Sequence, residues 1–86
     1  MINNANNNKG DNMKLKPIAS NMTEVETTLH TVLFSYSTPV ACYDKGFGGY
    51  YKTSEKFSVT TSRHINKWLG GVTAHEKPQS FFNNLA

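Results

Sequence analysis

Between residues 27 and 53 apolar and polar side chains alternate in short runs. Residues 27–36 read TTLHTVLFSY. Threonine, valine and aromatic residues suit a pleated, half-buried surface. A period of two sets Val32, Phe34 and Tyr36 on one face and Thr31, Leu33 and Ser35 on the other. Pro39 pushes Thr38 to extended geometry, which predicts a turn at Ser37, Thr38 and Pro39. VACY at 40–43 is a second strand. The loop at 44–49 holds Gly46, Gly48 and Gly49, which tolerate positive φ, and YYKT at 50–53 returns as a third strand. Residues 56–59 (KFSV) are either a short fourth strand or an extended connection.

The period then changes from two to 3.6. In 62–71 (SRHINKWLGG), Ile65, Trp68 and Leu69 fall at i, i+3 and i+4, an apolar helical stripe. Thr61 or Ser62 can cap its start and Gly70 or Gly71 its end. A helix this short draws its stability from docking that stripe on the sheet. A second short helix is predicted at 78–85, with Pro78 in its first turn and Phe81, Phe82 and Leu85 along its apolar edge. The fold class is therefore α+β: a three-stranded antiparallel sheet, four-stranded if 56–59 also pairs, packed against one amphipathic helix plus a short C-terminal helix.

The chain before this region reads differently. Asn3, Asn4, Asn6, Asn7, Asn8 and Asn12 dominate it, and Met13, Leu15 and Ile18 follow no sustained period. Such a stretch buries too little to offset its chain entropy. Residues 1–25 are expected to be a disordered Asn-rich tail and residues 26–86 a single small domain. Met13 and Met22 are alternative translational starts.

Composition narrows the class of protein. At 86 residues the chain is too short for a multidomain enzyme, a Rossmann-sized cofactor unit or a TIM barrel. No apolar stretch approaches the ~20 residues of a membrane-spanning helix, and no membrane role is expected. One cysteine excludes an internal disulfide framework and gives no sign of an oxidising compartment. The first thirty residues lack the apolar segment of a signal peptide, so the expected compartment is the cytoplasm. The net charge of +3 points only weakly to polyanionic partners.

Two places invite a functional reading. Thr61, Ser62 and Arg63 open the main helix with no acid beside them, and hydroxyls, helix N–H groups and a guanidinium can hold a phosphate. The plainer reading is that one hydroxyl caps the helix and the others face water. Tyr50 and Tyr51 flank the hairpin loop with Lys45 and Lys52. Aromatics interleaved with lysines on a sheet can stack bases while cations meet phosphates. They serve equally as cross-strand packing or as a protein-binding surface. Trp68 belongs to the buried stripe, and its truncation is expected to be the most damaging single change.

His64, beside Arg63, is an acid/base candidate. With no nucleophile or second base suitably spaced, it reads as a boundary histidine that bonds the strand and orients the helix. His30, Cys42, His64 and His75 match no zinc signature, and no cofactor or metal is expected.

The stretches SYSTPVA (35–41), YKT (51–53) and SVTTSRHINKWL (58–69) resemble a small family of uncharacterised phage and bacterial proteins. The resemblance implies a phage-associated accessory role, in the host cytoplasm if phage-encoded, and supplies no functional residue. Together these readings describe a small non-enzymatic binding module with weak nucleic-acid binding, its contacts drawn from Lys45, Tyr50, Tyr51, Lys52, Thr61, Ser62 and Arg63. The alternatives are a module that modulates a host or phage protein, or forms a homo-oligomer, and a small hydrolase or nuclease using His64.

Overall fold

The computed structural model describes residues 13–85. Six strands and two helices follow one another: β1 (Lys14–Ala19), β2 (Met22–Glu26), β3 (His30–Ser35), β4 (Thr38–Asp44), β5 (Gly49–Thr53), α1 (Val59–Leu69), β6 (His75–Lys77) and α2 (Gln79–Asn83). The strands lie in a single sheet in chain order. β1 to β5 form an antiparallel meander, and α1 carries the chain across to β6, which pairs parallel to β5.

The expected sheet of three or four antiparallel strands is thus corrected to six strands in a mixed sheet. Three strands escape the sequence pattern. β1 is exposed along nearly all its length, and β2 buries only Met22 and Val25. An edge strand with few buried positions carries almost no hydrophobic period, so pairing rather than pattern makes it a strand. β6 is three residues long and has no apolar side chain. Residues 56–58 are irregular, and Val59 begins α1.

The boundary at residue 26 is corrected as well. The sheet begins at Lys14, with Lys14 opposite Glu26 and Lys16 opposite Glu24. The expectation of disorder for residues 1–12 lies outside the described residues.

Two tight turns join the early strands. Asn21, at φ 61, closes β1 onto β2, where asparagine suits the left-handed region. The β3–β4 turn uses Tyr36 and Ser37 rather than Ser37 to Pro39: Ser35 pairs with Thr38, and Pro39 lies inside β4 opposite Phe34. Tyr36 sits at φ 57, a conformation that costs a residue with a side chain roughly 1–2 kcal/mol.

Both faces of the sheet centre are covered. On one side Ile65 and Leu69 of α1 pack with Met22, Leu33, Val40 and Ala41. On the other, Phe82 of α2 packs with Val32 and Cys42. Leu33 pairs with Ala41 and Phe34 with Pro39, so Val40 is the extra residue of a β-bulge and joins Ala41 in the α1-side core. Burial on both sides explains the unbroken apolar runs Val32-Leu33 and Val40-Ala41-Cys42.

Ser58 caps α1, its hydroxyl accepting from the Thr61 N–H at 3.1 Å. Gly70 ends the helix at φ 60, its N–H reaching Asn66 O at 3.0 Å. The helix starts earlier than expected at Thr61 or Ser62, because Val59-Thr60-Thr61 reads as β-branched sequence until a cap precedes it.

Candidate binding groove

α1 crosses only part of its sheet face and leaves a groove of about 390 Å³ beside it. Its aromatic wall is assembled from two strands and the helix. Tyr43 on β4 pairs directly with Tyr50 on β5, their rings 4.7 Å apart. Tyr50 then meets Trp68 of α1 edge-on at 5.9 Å. All three rings are half-buried. Lys16 of β1 and Lys67 of α1 stand at the rim, and Glu24 and Thr31 lie on the floor. The Trp68 indole N–H donates to Glu24 Oε2 at 2.7 Å, tying the helix to β2 across the groove. Trp68 is therefore both a flank of the core and a groove wall, not the fully buried residue its place in the stripe suggests.

One ion pair nearby joins β2 to the loop that follows β4. Lys45 Nζ donates to Glu26 Oε2 at 2.9 Å and to Thr27 O at 2.8 Å. That hydrogen bond and the Lys45 charge, with smaller help from Lys14 and Lys16, hold the Glu26 carboxyl below its ordinary range. Lys45 is thus engaged on β2 rather than directed at the groove.

The other expected contacts are dispersed. Tyr50 lines the groove, but Tyr51, its neighbour, points to the opposite face. There it packs on Phe81 at 5.7 Å and under Lys77 Nζ at 5.6 Å. Lys52 shares the Tyr50 face yet lies opposite Glu76, in a separate polar cleft of about 210 Å³ with Ser62. Arg63 is exposed on α1. Thr61 is buried, its hydroxyl turned to Ser35 Oγ at 3.0 Å and to Ser58 Oγ at 3.3 Å. The start of α1 is consequently closed by its own cap and by β3. Lys16, Glu24, Tyr43, Lys67 and Trp68 are not among the expected contacts. The signal for them is spatial: Lys16 needs β1 to be a strand, Glu24 needs β2 beside β3, Tyr43 needs the register that sets it against Tyr50, and Lys67 and Trp68 need α1 docked on that face.

His64 Nδ1 is 2.8 Å from Ser35 Oγ, and its ring lies 5.8 Å from that of Tyr36. The pair has the composition of a nucleophile–base dyad, but the Ser35 side chain is sealed between β3 and α1 at 2% exposure. Among the described residues no carboxylate hydrogen-bonds His64, and no three His, Cys, Asp or Glu side chains gather as a metal site. The contact fastens the helix to the strand. No helix among the described residues is long and apolar enough to cross a membrane.

What these features define is a small two-faced sheet domain with a helix-flanked groove. The chain belongs to the family of unknown function DUF8033, which matches residues 13–84. That match begins at the residue before β1 and ends just past α2, so the family unit includes all three strands that the sequence pattern leaves out. No curated protein and no solved structure matches the chain.

Proposed function

We propose that this domain is a non-enzymatic binding module for single-stranded nucleic acid, and that the groove beside α1 is its contact surface. The observation that supports this is the series Tyr43, Tyr50 and Trp68, open on one side and bordered by Lys16 and Lys67. Splayed bases stack on such rings, each stacked base contributing about 1–3 kcal/mol, while lysines meet the phosphates. The Glu24 carboxylate adds an acceptor for the exocyclic amino groups of bases. Two rim lysines give weak, salt-sensitive affinity. The phage association and cytoplasmic setting implied by the resemblance stand as part of this reading.

Trp68 is the chain's single tryptophan and so reports directly on its own groove. Titration with short single-stranded DNA or RNA at low salt should change its fluorescence. Lys16→Ala and Lys67→Ala should each weaken binding and flatten its salt dependence by about one phosphate's worth. Tyr50→Ala should weaken binding to single strands, whereas Tyr51→Ala, on the other face, should leave it unchanged. Absence of binding to single-stranded DNA and RNA at tens of micromolar would reject the reading.

A further inference from the structure

We infer, resting on the reading of the groove beside α1 as a single-strand site, that this groove prefers guanine and that Glu24 makes the selection. A carboxylate on the floor of such a site repels the phosphates that Lys16 and Lys67 attract. Lys16 stands opposite Glu24 in the register of β1 and β2, yet among the described residues no ion pair joins the two. The hydrogen-bond partner of the carboxylate among those residues is the Trp68 indole N–H, on Oε2 at 2.7 Å.

That single contact orients the group without exhausting it. Glu24 is half-buried and lies on the sheet face that carries Lys16. An ionised carboxylate only accepts, at about four lone-pair sites on its two oxygens. The indole takes one site on Oε2. Oε1 stays open towards the groove that Tyr43, Tyr50 and Trp68 line. The three rings accept any base by its flat face, so they add affinity and no selection. Selection falls to the oriented acceptor.

The bases differ at the edge that meets such an acceptor. Guanine presents two adjacent donors on its Watson–Crick edge, the ring N1–H and the N2 amino group. They match the two oxygens of a carboxylate in the way an arginine fork does. Adenine and cytosine offer one amino group beside a ring nitrogen whose lone pair faces the carboxylate. Thymine and uracil offer one N–H between two carbonyl oxygens. Guanine alone gains two hydrogen bonds with no acceptor set against the carboxylate. A site built around a buried polar group rejects the ligands that leave it unpaired.

Fluorescence anisotropy of end-labelled DNA octamers, with the full chain at low salt, tests this. The octamers are all-thymine, or thymine with one central guanine, adenine, cytosine or hypoxanthine. The guanine octamer should bind at least about fivefold more tightly than the others, the lower bound for a bidentate base contact. Hypoxanthine lacks the amino group and should lose most of that gain. Glu24→Gln keeps an acceptor for the indole but turns an amide donor towards the base. With an unchanged circular dichroism spectrum, it should bind the all-thymine octamer more tightly and lose the guanine preference. Equal affinity for every octamer would overturn the guanine preference and leave the single-strand reading standing. A preference that persists in folded Glu24→Gln would overturn the role of Glu24. No binding of any octamer at tens of micromolar would overturn both readings.

Discussion

Ser35 and His64, twenty-nine residues apart, are joined by a 2.8 Å contact between Oγ and Nδ1 that locks α1 onto β3. The same hydroxyl meets Thr61 Oγ1 at 3.0 Å, so one buried serine engages two side chains on successive turns of the helix. This is a polar clasp beside the apolar one made by Ile65 and Leu69. A buried polar network of this kind stabilises only while all its members remain paired.

Ser35→Ala leaves the Thr61 hydroxyl and His64 ring without that partner. The expected cost is about 1–3 kcal/mol. In a domain of this size each kcal/mol lowers the melting temperature by roughly 4–8 °C. Thermal unfolding followed by circular dichroism measures it. An unchanged melting temperature would show that the clasp contributes nothing to docking.

Phe82→Ala should be the most damaging single substitution, in place of Trp68→Ala. Phe82 is fully buried and is the largest such side chain, whereas Trp68 is half-buried at the groove. Truncating a buried phenylalanine costs about 3–5 kcal/mol. A five-residue helix has little else to hold it, so α2 should undock and uncover Cys42. Cys42 should be inert to a thiol reagent in the unaltered chain and reactive in this variant.

Burial, with a smaller contribution from Asp44, pushes the Cys42 thiol up from 9.0 to about 11. The folded state therefore keeps its proton after the unfolded chain has lost it. This contribution to stability is fully present below pH 9, declines as pH rises through the interval and is gone above about 11. Denaturant unfolding at pH 8 and pH 10.5 should show a smaller loss for Cys42→Ala than for the unaltered chain.

Lys45→Ala should return the Glu26 carboxyl towards its ordinary value, because Lys45 supplies the hydrogen bond and the nearest charge. With Lys45 present, the lowered carboxyl favours the fold above its ordinary value of 4.5, and the benefit fades as pH falls through the lowered value. Both groups are substantially solvent-exposed, so the effect on stability is small and salt-screened. An NMR titration of Glu26 in both proteins reads the shift directly. Equal titration curves would remove Lys45 as its cause.

The sequence by itself determined the elements whose side chains carry a strong period. The β-branched and apolar run in 27–36 marks a strand, which the fold confines to His30–Ser35, the glycines mark the Asp44 to Gly49 loop, and the Ile65, Trp68, Leu69 stripe marks the helix side that docks on the sheet. It could not determine β1, β2 or β6, whose few buried positions leave no period and whose strand conformation comes from hydrogen bonding to a neighbour already in place. Nor could it separate Tyr50 from Tyr51 in function. Adjacent strand residues face opposite ways, and which way becomes groove and which becomes core depends on where α1 and α2 dock. The groove was half legible for the same reason. Its tyrosines stand in a recognisable aromatic run, but Lys16, Glu24 and Trp68 meet them only across a sheet that tertiary packing completes.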